Sequence, residues 1–333
     1  MSVFLQNLKK SGHLDRIHIT VCFVGSRDEN LAGKGWEIFA PNLTIYGFDA
    51  DRTACDMLNA NLAAKNVNWT EKHIPMAIWD SSGKQKLYVS RNPCGSSLYP
   101  PKLSMRERFS SYQEESGMWE FSTTEGSFTT YSIEDIETIS LDDFFGKIDP
   151  QEIDIIMMDV QGGELNVLEG ASNLMKSGIL AVVAETMFIE LYENQPLFGD
   201  IDVYLRRQNG FTLFDLSYIA RGKRRGIPIL SKEHRGQLFF ACEAFWFRDL
   251  MEHDKNRHLT TPDRILKLAC IADMLNFPDY ALELLVELTR RYGEDKNYNC
   301  ANSIVESLAQ TSFATEHGLD SIPILAKIKD YLD

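Results

Sequence analysis

Residues 153–171 read IDIIMMDVQGGELNVLEGA. Ile153–Val160 is a short apolar run broken by Asp154 and Asp159, and Gly162 and Gly163 then interrupt it. From Glu164 onward, Leu165, Val167, Leu168 and Ala171 recur at helical spacing. A nearly continuous apolar run of strand length marks a strand buried on both faces, central in a parallel sheet. Open α/β sheets place their ligands at the carboxyl ends of such strands, which puts Asp159 and Gln161 at a candidate mouth. Asp159 has a plainer alternative as a helix N-cap that satisfies the amides of Gln161 and Gly162.

Upstream, Ile17–Val24 is strand-like and ends at Gly25, followed by a polar loop with Gly33 and Gly35. The glycine spacing does not fit GxGxxG, so a dinucleotide is not indicated. Leu43–Phe48 is a second strand ending in Asp49-Ala50-Asp51. An acid at that point, ~20–25 residues after the first glycine turn, is placed to accept both hydroxyls of a ribose. Asp49 is assigned to the ribose and Asp51 to the cap of the next helix, whose face carries Ala54, Met57, Leu58 and Leu62. A third strand lies in Asn68–Trp79, Asp80–Gly83 is a turn, and Lys86–Val89 returns as a short strand. Such strand–helix alternation argues for a parallel sheet.

Residues 91–135 are rich in Ser, Thr, Glu and Gly with scattered aromatics, and are expected as a lid or insertion. Within them Asn92–Leu98 forms a turn whose hydroxyls and amides can face the site. A helix is expected from Ile139 to Phe145, capped by Ser140. Ile179–Ala184 is the fifth strand, and Glu185 at its end makes a carboxylate pair with Asp159 feasible. Phe188–Phe198 lies above the sheet, Ile201–Arg207 is helical, and Phe211–Leu216 and Leu238–Phe247 are the last two strands. The basic run Arg221–Arg225 is either a solvated hairpin tip or a grip on an anionic group. His73 falls in the third strand and reads as core packing. Thr261-Pro262-Asp263 opens a helix, a second helix carries Ala281, Leu284, Leu285 and Leu288, and short helices are expected near 302–309 and 322–332.

The 333-residue chain is 44% hydrophobic and 25% charged, with a formal net charge of −14. Those proportions suit a folded chain of one large domain, or one domain with an appendage. Net negative charge repels phosphate, so neither nucleic acid nor an anionic membrane is expected as the main partner. The six cysteines (Cys22, Cys55, Cys94, Cys242, Cys270 and Cys300) are far apart and form no CxxC. They read as buried thiols in a reducing compartment, with no metal site. The best bilayer candidate, Ile179–Ala184, meets Glu185 too soon, and MSVFLQNLKKSGHLDR lacks the order of a signal peptide. A cytoplasmic protein without membrane insertion is expected.

Together these pieces resemble the FkbM family of S-adenosylmethionine-dependent methyltransferases. The carriers are YGFDAD (46–51), GSSLY (95–99), the 153–171 stretch, ETMFIELYENQPLF (185–198) and RGQLFFACEAFWFRD (235–249). The residues themselves place a short amphipathic helix at 1–15, with Val3, Phe4 and Leu8 on one side. The resemblance, which spans roughly residues 17–250, implies an α/β, Rossmann-like class I methyltransferase domain at 16–250. Its sheet would be seven-stranded and mostly parallel, with the last strand antiparallel. A C-terminal helical extension at 260–333 would pack on it or serve as a homodimer surface. S-adenosylmethionine in the cleft and methyl transfer to a hydroxyl of a sugar, glycan or secondary metabolite are also implied. The expected cofactor residues are Gly25, Ser26, Asp49, Ala50, Ala77, Trp79, Asp80, Ser96, Asp159 and Gln161. The expected acceptor residues are Ser97, Tyr99, Tyr192 and Arg224. Asp159 is the first choice for the base and Glu185 the second. One position departs from the family: Phe23 stands where members carry an acid two residues before the first-loop glycine. That departure motivates the alternative of a non-catalytic scaffold with the same fold. A nicotinamide oxidoreductase is disfavoured by the missing GxGxxG.

Overall fold

The computed structural model describes residues 2–27, 35–106, 108–112, 130–147, 152–224, 235–251, 256 and 259–332. In chain order the strands are β1 (Ile19–Val24), β2 (Leu43–Asp49), β3 (Thr70–Pro75), β4 (Ala77–Ile78), β5 (Gly83–Ser90), β6 (Phe109–Tyr112), β7 (Thr130–Ile139), β8 (Ile155–Met158), β9 (Ala181–Met187), β10 (Thr212–Arg224) and β11 (Gln237–Phe247). Around them lie α1 (Leu5–Lys10), α2 (Arg52–Lys65), α3 (Leu141–Phe145), α4 (Glu164–Glu169), α5 (Ser172–Ser177), α6 (Phe198–Val203), α7 (Pro262–Met274), α8 (Pro278–Tyr292), α9 (Ala301–Leu308) and α10 (Ser312–His317), with one further turn at Leu103–Arg106.

The main sheet has the order β3-β2-β1-β8-β9-β11-β10-β6. Its first five strands run parallel, and β11 enters antiparallel between β9 and β10. From β3 through β10 this is the Rossmann-like arrangement with one reversed strand that the sequence leads one to expect, and the edge strand β6 is a second reversed strand. The count differs, because β6 adds an eighth strand on the outer edge of β10. A second sheet, β4-β7-β5, stands beside it. The stretch expected as one third strand therefore breaks at Pro75: β3 stays in the main sheet and β4 joins the small one. The segment 91–135 holds two strands or parts of them, and the expected helix starts at Leu141 because Ile139 still pairs with Ile78. Ser140 caps that helix through its hydroxyl, which accepts from Asp143 N at 3.0 Å. Residues 113–129, the middle of the expected lid, lie outside the described residues; of the basic run Arg221–Arg225, expected as a hairpin tip or an anion grip, Arg221–Arg224 belong to β10 and Arg225 lies outside the described residues.

The parallel strands carry continuous apolar runs because both faces are covered. Ile19, Val21 and Phe23 belong to one core together with residues of α7, α8 and α9, while Cys22 and Val24 belong to the opposite core with residues of α3, α4 and α5. Phe23 is 4% exposed. Its side chain sits under the C-terminal helices, which explains an apolar residue at this place.

Thr261 caps α7 by accepting from Arg264 N. The Asp273 carboxylate near the end of α7 accepts from the amides of Val3 (2.8 Å), Phe4 (2.8 Å) and Leu5 (3.0 Å), and so caps α1 from across the molecule. Buried Asp154 pairs with Lys267 of α7 at 2.9 Å and accepts from Thr20 N at 2.8 Å. These contacts tie the chain's two ends and its central strands into one core. No described helix is long and apolar enough to cross a membrane.

Candidate active site

A cavity of about 920 Å³ opens over the carboxyl ends of β1, β2, β8 and β9. The chain folds tightly there. Gly25 has φ 85°, and a Cβ on it would fall onto the backbone carbonyl of Asp159. Only glycine combines that conformation with that approach. Gly25 N and Ser26 N both donate to Phe48 O, at 2.8 and 3.0 Å, which locks the first loop to β2. Gly163 must be small for a different reason: a Cβ would stand 2.7 Å from Cζ3 of Trp79. Neither Gly162 nor Gly163 lines the cavity, so this pair serves packing below the cleft rather than clearance within it.

Asp159 and Glu185 face each other at the wall. Nε2 of Gln161 donates to Asp159 Oδ1 and to Glu185 Oε2, both at 2.7 Å. The Tyr192 hydroxyl donates to Gln161 Oε1 at 2.9 Å and so fixes which end of the amide meets the acids. Gln161 holds a left-handed backbone (φ 55°), and Ser97 Oγ donates to its carbonyl at 2.7 Å. Burial and the charge of Asp159 push the Glu185 carboxyl well above the usual range. Burial also raises Asp159, opposed by its hydrogen bonds to Gln161 and Glu185. Two buried acids this close hold one proton between them as a pair.

Sequence reasoning missed a third acid. Glu164 is 2% exposed, and its Oε1 accepts from Val160 N (3.0 Å) and Gly162 N (3.3 Å). Burial, then the charge of Asp159, raises it to about 7. Glu164 thus takes the Gly162 amide offered to Asp159, while the Asp159 carboxylate is engaged by Gln161 and Glu185 at the cavity wall. The available signal was an acid in the first turn of a helix with no capping side chain before it.

Of the other expected residues, Gly25, Asp49, Ala50, Ala77, Trp79, Ser96, Ser97, Gln161 and Tyr192 line the cavity. Asp49 Oδ1 accepts from Asp51 N at 2.8 Å, and burial raises its pKa. Asp51 caps α2 and pairs with Arg27, a cavity residue the sequence reading did not single out. Three expected residues are set back from the wall. Ser26 is buried, with its hydroxyl 3.2 Å from His73 Nδ1. Asp80 accepts from Asn166 at 3.0 Å, and Tyr99 donates to the same Asn166 at 2.8 Å beside the Trp79 ring. His73 is bonded, not merely packed, its Nε2 lying 3.1 Å from Glu71. The side chain of Arg224 lies outside the described residues. Among the described residues no cluster of His, Cys, Asp and Glu could hold a metal ion.

The sequence profile of the Methyltransferase FkbM domain matches residues 28–213. The chain belongs to the FkbM methyltransferase family. No curated protein matches it. Among solved structures it is similar to the FkbM methyltransferase of Methylobacillus flagellatus KT, at 13% identity and a TM-score of 0.37, over 69% of this chain and 43% of that one. The chain therefore spans less than half the length of that protein. It is also similar to an rRNA methylase from Streptococcus thermophilus, at 8% identity and a TM-score of 0.30 (72% and 93% covered). A third likeness is to M. capricolum TrmK in complex with S-adenosyl-homocysteine, at 9% and 0.29 (97% and 96% covered). Within the FkbM match lie Asp49, Asp159, Gln161 and Glu185; Gly25 precedes its first matched residue.

Proposed function

We propose that this FkbM-family chain is an S-adenosylmethionine-dependent O-methyltransferase acting on a hydroxyl of a sugar, glycan or secondary metabolite, a small acceptor rather than a nucleic acid. The observation that carries it is the pair Asp159–Glu185, bridged by Gln161 in the cavity wall next to Gly25. The residues present suit the cofactor: a glycine at the first loop allows close approach, and a carboxylate at the end of β2 can take vicinal hydroxyls. Gly25, Asp49, Ala50, Ala77 and Trp79 would hold it. When bound, it supplies an electrophilic methyl group.

The chain's own work is to orient the acceptor and to take its proton. An acid pair with one proton carries one negative charge and can accept a second proton. Its raised affinity for protons makes it a better base than an exposed carboxylate. Gln161, locked by Tyr192 and Ser97, keeps the two acids in register. The rival reading of a non-catalytic scaffold draws no support from Phe23, which is turned into the core away from the cavity.

Calorimetry with S-adenosylhomocysteine and label transfer from methyl-labelled cofactor test the proposal. Saturable binding and transfer to a hydroxyl compound are expected; absence of cofactor binding by the folded protein removes it.

A further inference from the structure

Two neighbouring strands leave regular geometry at the cavity, on the side away from Gly25 and Asp49. The ladder between β9 and β11 slips between Ala241 and Ala244, opposite Glu185. A bulge sets two residues against one and re-aims a side chain, and such bulges gather next to active sites. Here Glu243 comes to line the cavity. On β10, Ser217 is the cross-strand partner of Glu243. In an unbroken strand the next residue, Tyr218, would face the opposite side. Tyr218 instead has φ 51°, a left-handed conformation that costs a bulky residue stability and persists where its surroundings demand it. The turn brings Tyr218 into the same cavity wall, with the residue 74% exposed.

The wall beside them is apolar, formed by Phe240 and its cross-strand partner Met187. The arginines among the described lining residues, Arg27 and Arg52, stand at the far end, by β1 and α2. Among the described lining residues an anionic acceptor finds no cation on this wall and meets carboxylates instead. A neutral sugar ring fits what is there. Its C–H face matches the negative face of the tyrosine ring, and its hydroxyls are donors for a carboxylate that only accepts.

We propose that Tyr218 and Glu243 are the acceptor-selecting residues of this cavity, and that they choose a neutral, hydroxyl-rich sugar ring over acceptors with a carboxylate or phosphate beside the reacting hydroxyl. The inference rests on the methyltransferase reading above. It is tested on the full chain saturated with S-adenosylhomocysteine. The probes are methyl glycosides of neutral hexoses and 6-deoxyhexoses, methyl glucuronide and an amino-glycoside of the same ring, followed by saturation-transfer NMR and calorimetry. A neutral glycoside should bind at least about tenfold more tightly than the glucuronide. Tyr218→Gly relieves the backbone and removes the ring together. Cofactor-product binding should be unchanged and Tm no lower, while glycoside binding falls at least about tenfold. Glu243→Gln should narrow the neutral-to-anionic gap to about threefold or less. The inference is overturned if no neutral glycoside binds to the saturated protein, if Tyr218→Gly binds as the parent does, or if the glucuronide or amino-glycoside is preferred. Failure of the parent protein to bind S-adenosylhomocysteine would instead remove the methyltransferase reading, and this inference with it.

Discussion

Gln161 makes one hydrogen-bonding unit of two acids that would otherwise repel, and the chemistry proposed for the site depends on the proton they share. Glu185→Gln keeps the shape and a donor but ends proton exchange at that position. Labelled methyl transfer should fall about 10²-fold or more while S-adenosylhomocysteine affinity stays within about threefold. Glu164 offers a test that needs no substrate. Its carboxyl is raised to about 7 from an ordinary 4.5. The folded protein therefore keeps a proton that the unfolded chain gives up. That stabilisation is complete below the ordinary value and is lost as pH rises through about 7. Urea unfolding from pH 5 to 8 should show the parent losing on the order of 1–3 kcal/mol relative to Glu164→Gln, whose amide oxygen can still accept from Val160 and Gly162. A pH profile parallel to that of the variant would contradict the assignment.

At the level of strands and helices, Phe23 shows how a local departure is settled by packing. Position 23 faces the layer made by α7, α8 and α9, so an acid there would be an unpaired charge in a core. Phe23→Asp, which puts an acid at this place, should cost about 3–5 kcal/mol in chemical denaturation. If stability is unchanged, position 23 is not sealed by those helices. Lys267→Met leaves Asp154 buried without its partner and should cost about 3 kcal/mol or more by the same measurement. The parallel strands were legible because burial on both faces writes itself as an unbroken apolar run. The caps Asp51, Ser140 and Thr261 were legible because capping is a contact within one turn. By contrast, β6 and β7 mix polar and apolar residues without a regular alternation, and their strand character comes from distant partners. The site divides in the same way. Acids at strand ends were found because sheet topology fixes where those ends lie. Glu164 was overlooked because a buried glutamate in a first turn looks like an ordinary helical residue. Tyr218 and Glu243 escaped notice because a bulge and a left-handed tyrosine carry no sequence mark.

Across the whole molecule, the sheet has a face that its own crossover helices do not cover. Ile19, Val21, Leu43, Ile45 and Ile155 share their core with α7, α8 and α9. A chain ending at residue 260 should therefore bind ANS and lose cooperative unfolding; a soluble, cooperatively unfolding product would show that the sheet face can close without them. The cap on α1 adds a consequence in time. Val3 N donates its hydrogen bond to Asp273, 270 residues later in the chain. At ordinary rates of synthesis, the interval between their emergence from the ribosome is on the order of 15–50 s. From the completion of β11 until α7, α8 and α9 follow, the newborn protein holds an apolar sheet face open, to be shielded by a chaperone or left at risk of association. The helices made after the sheet are the ones that end the exposure. A message cut short just after β11 would then yield a chain with every strand of the sheet and without the three helices that close over it.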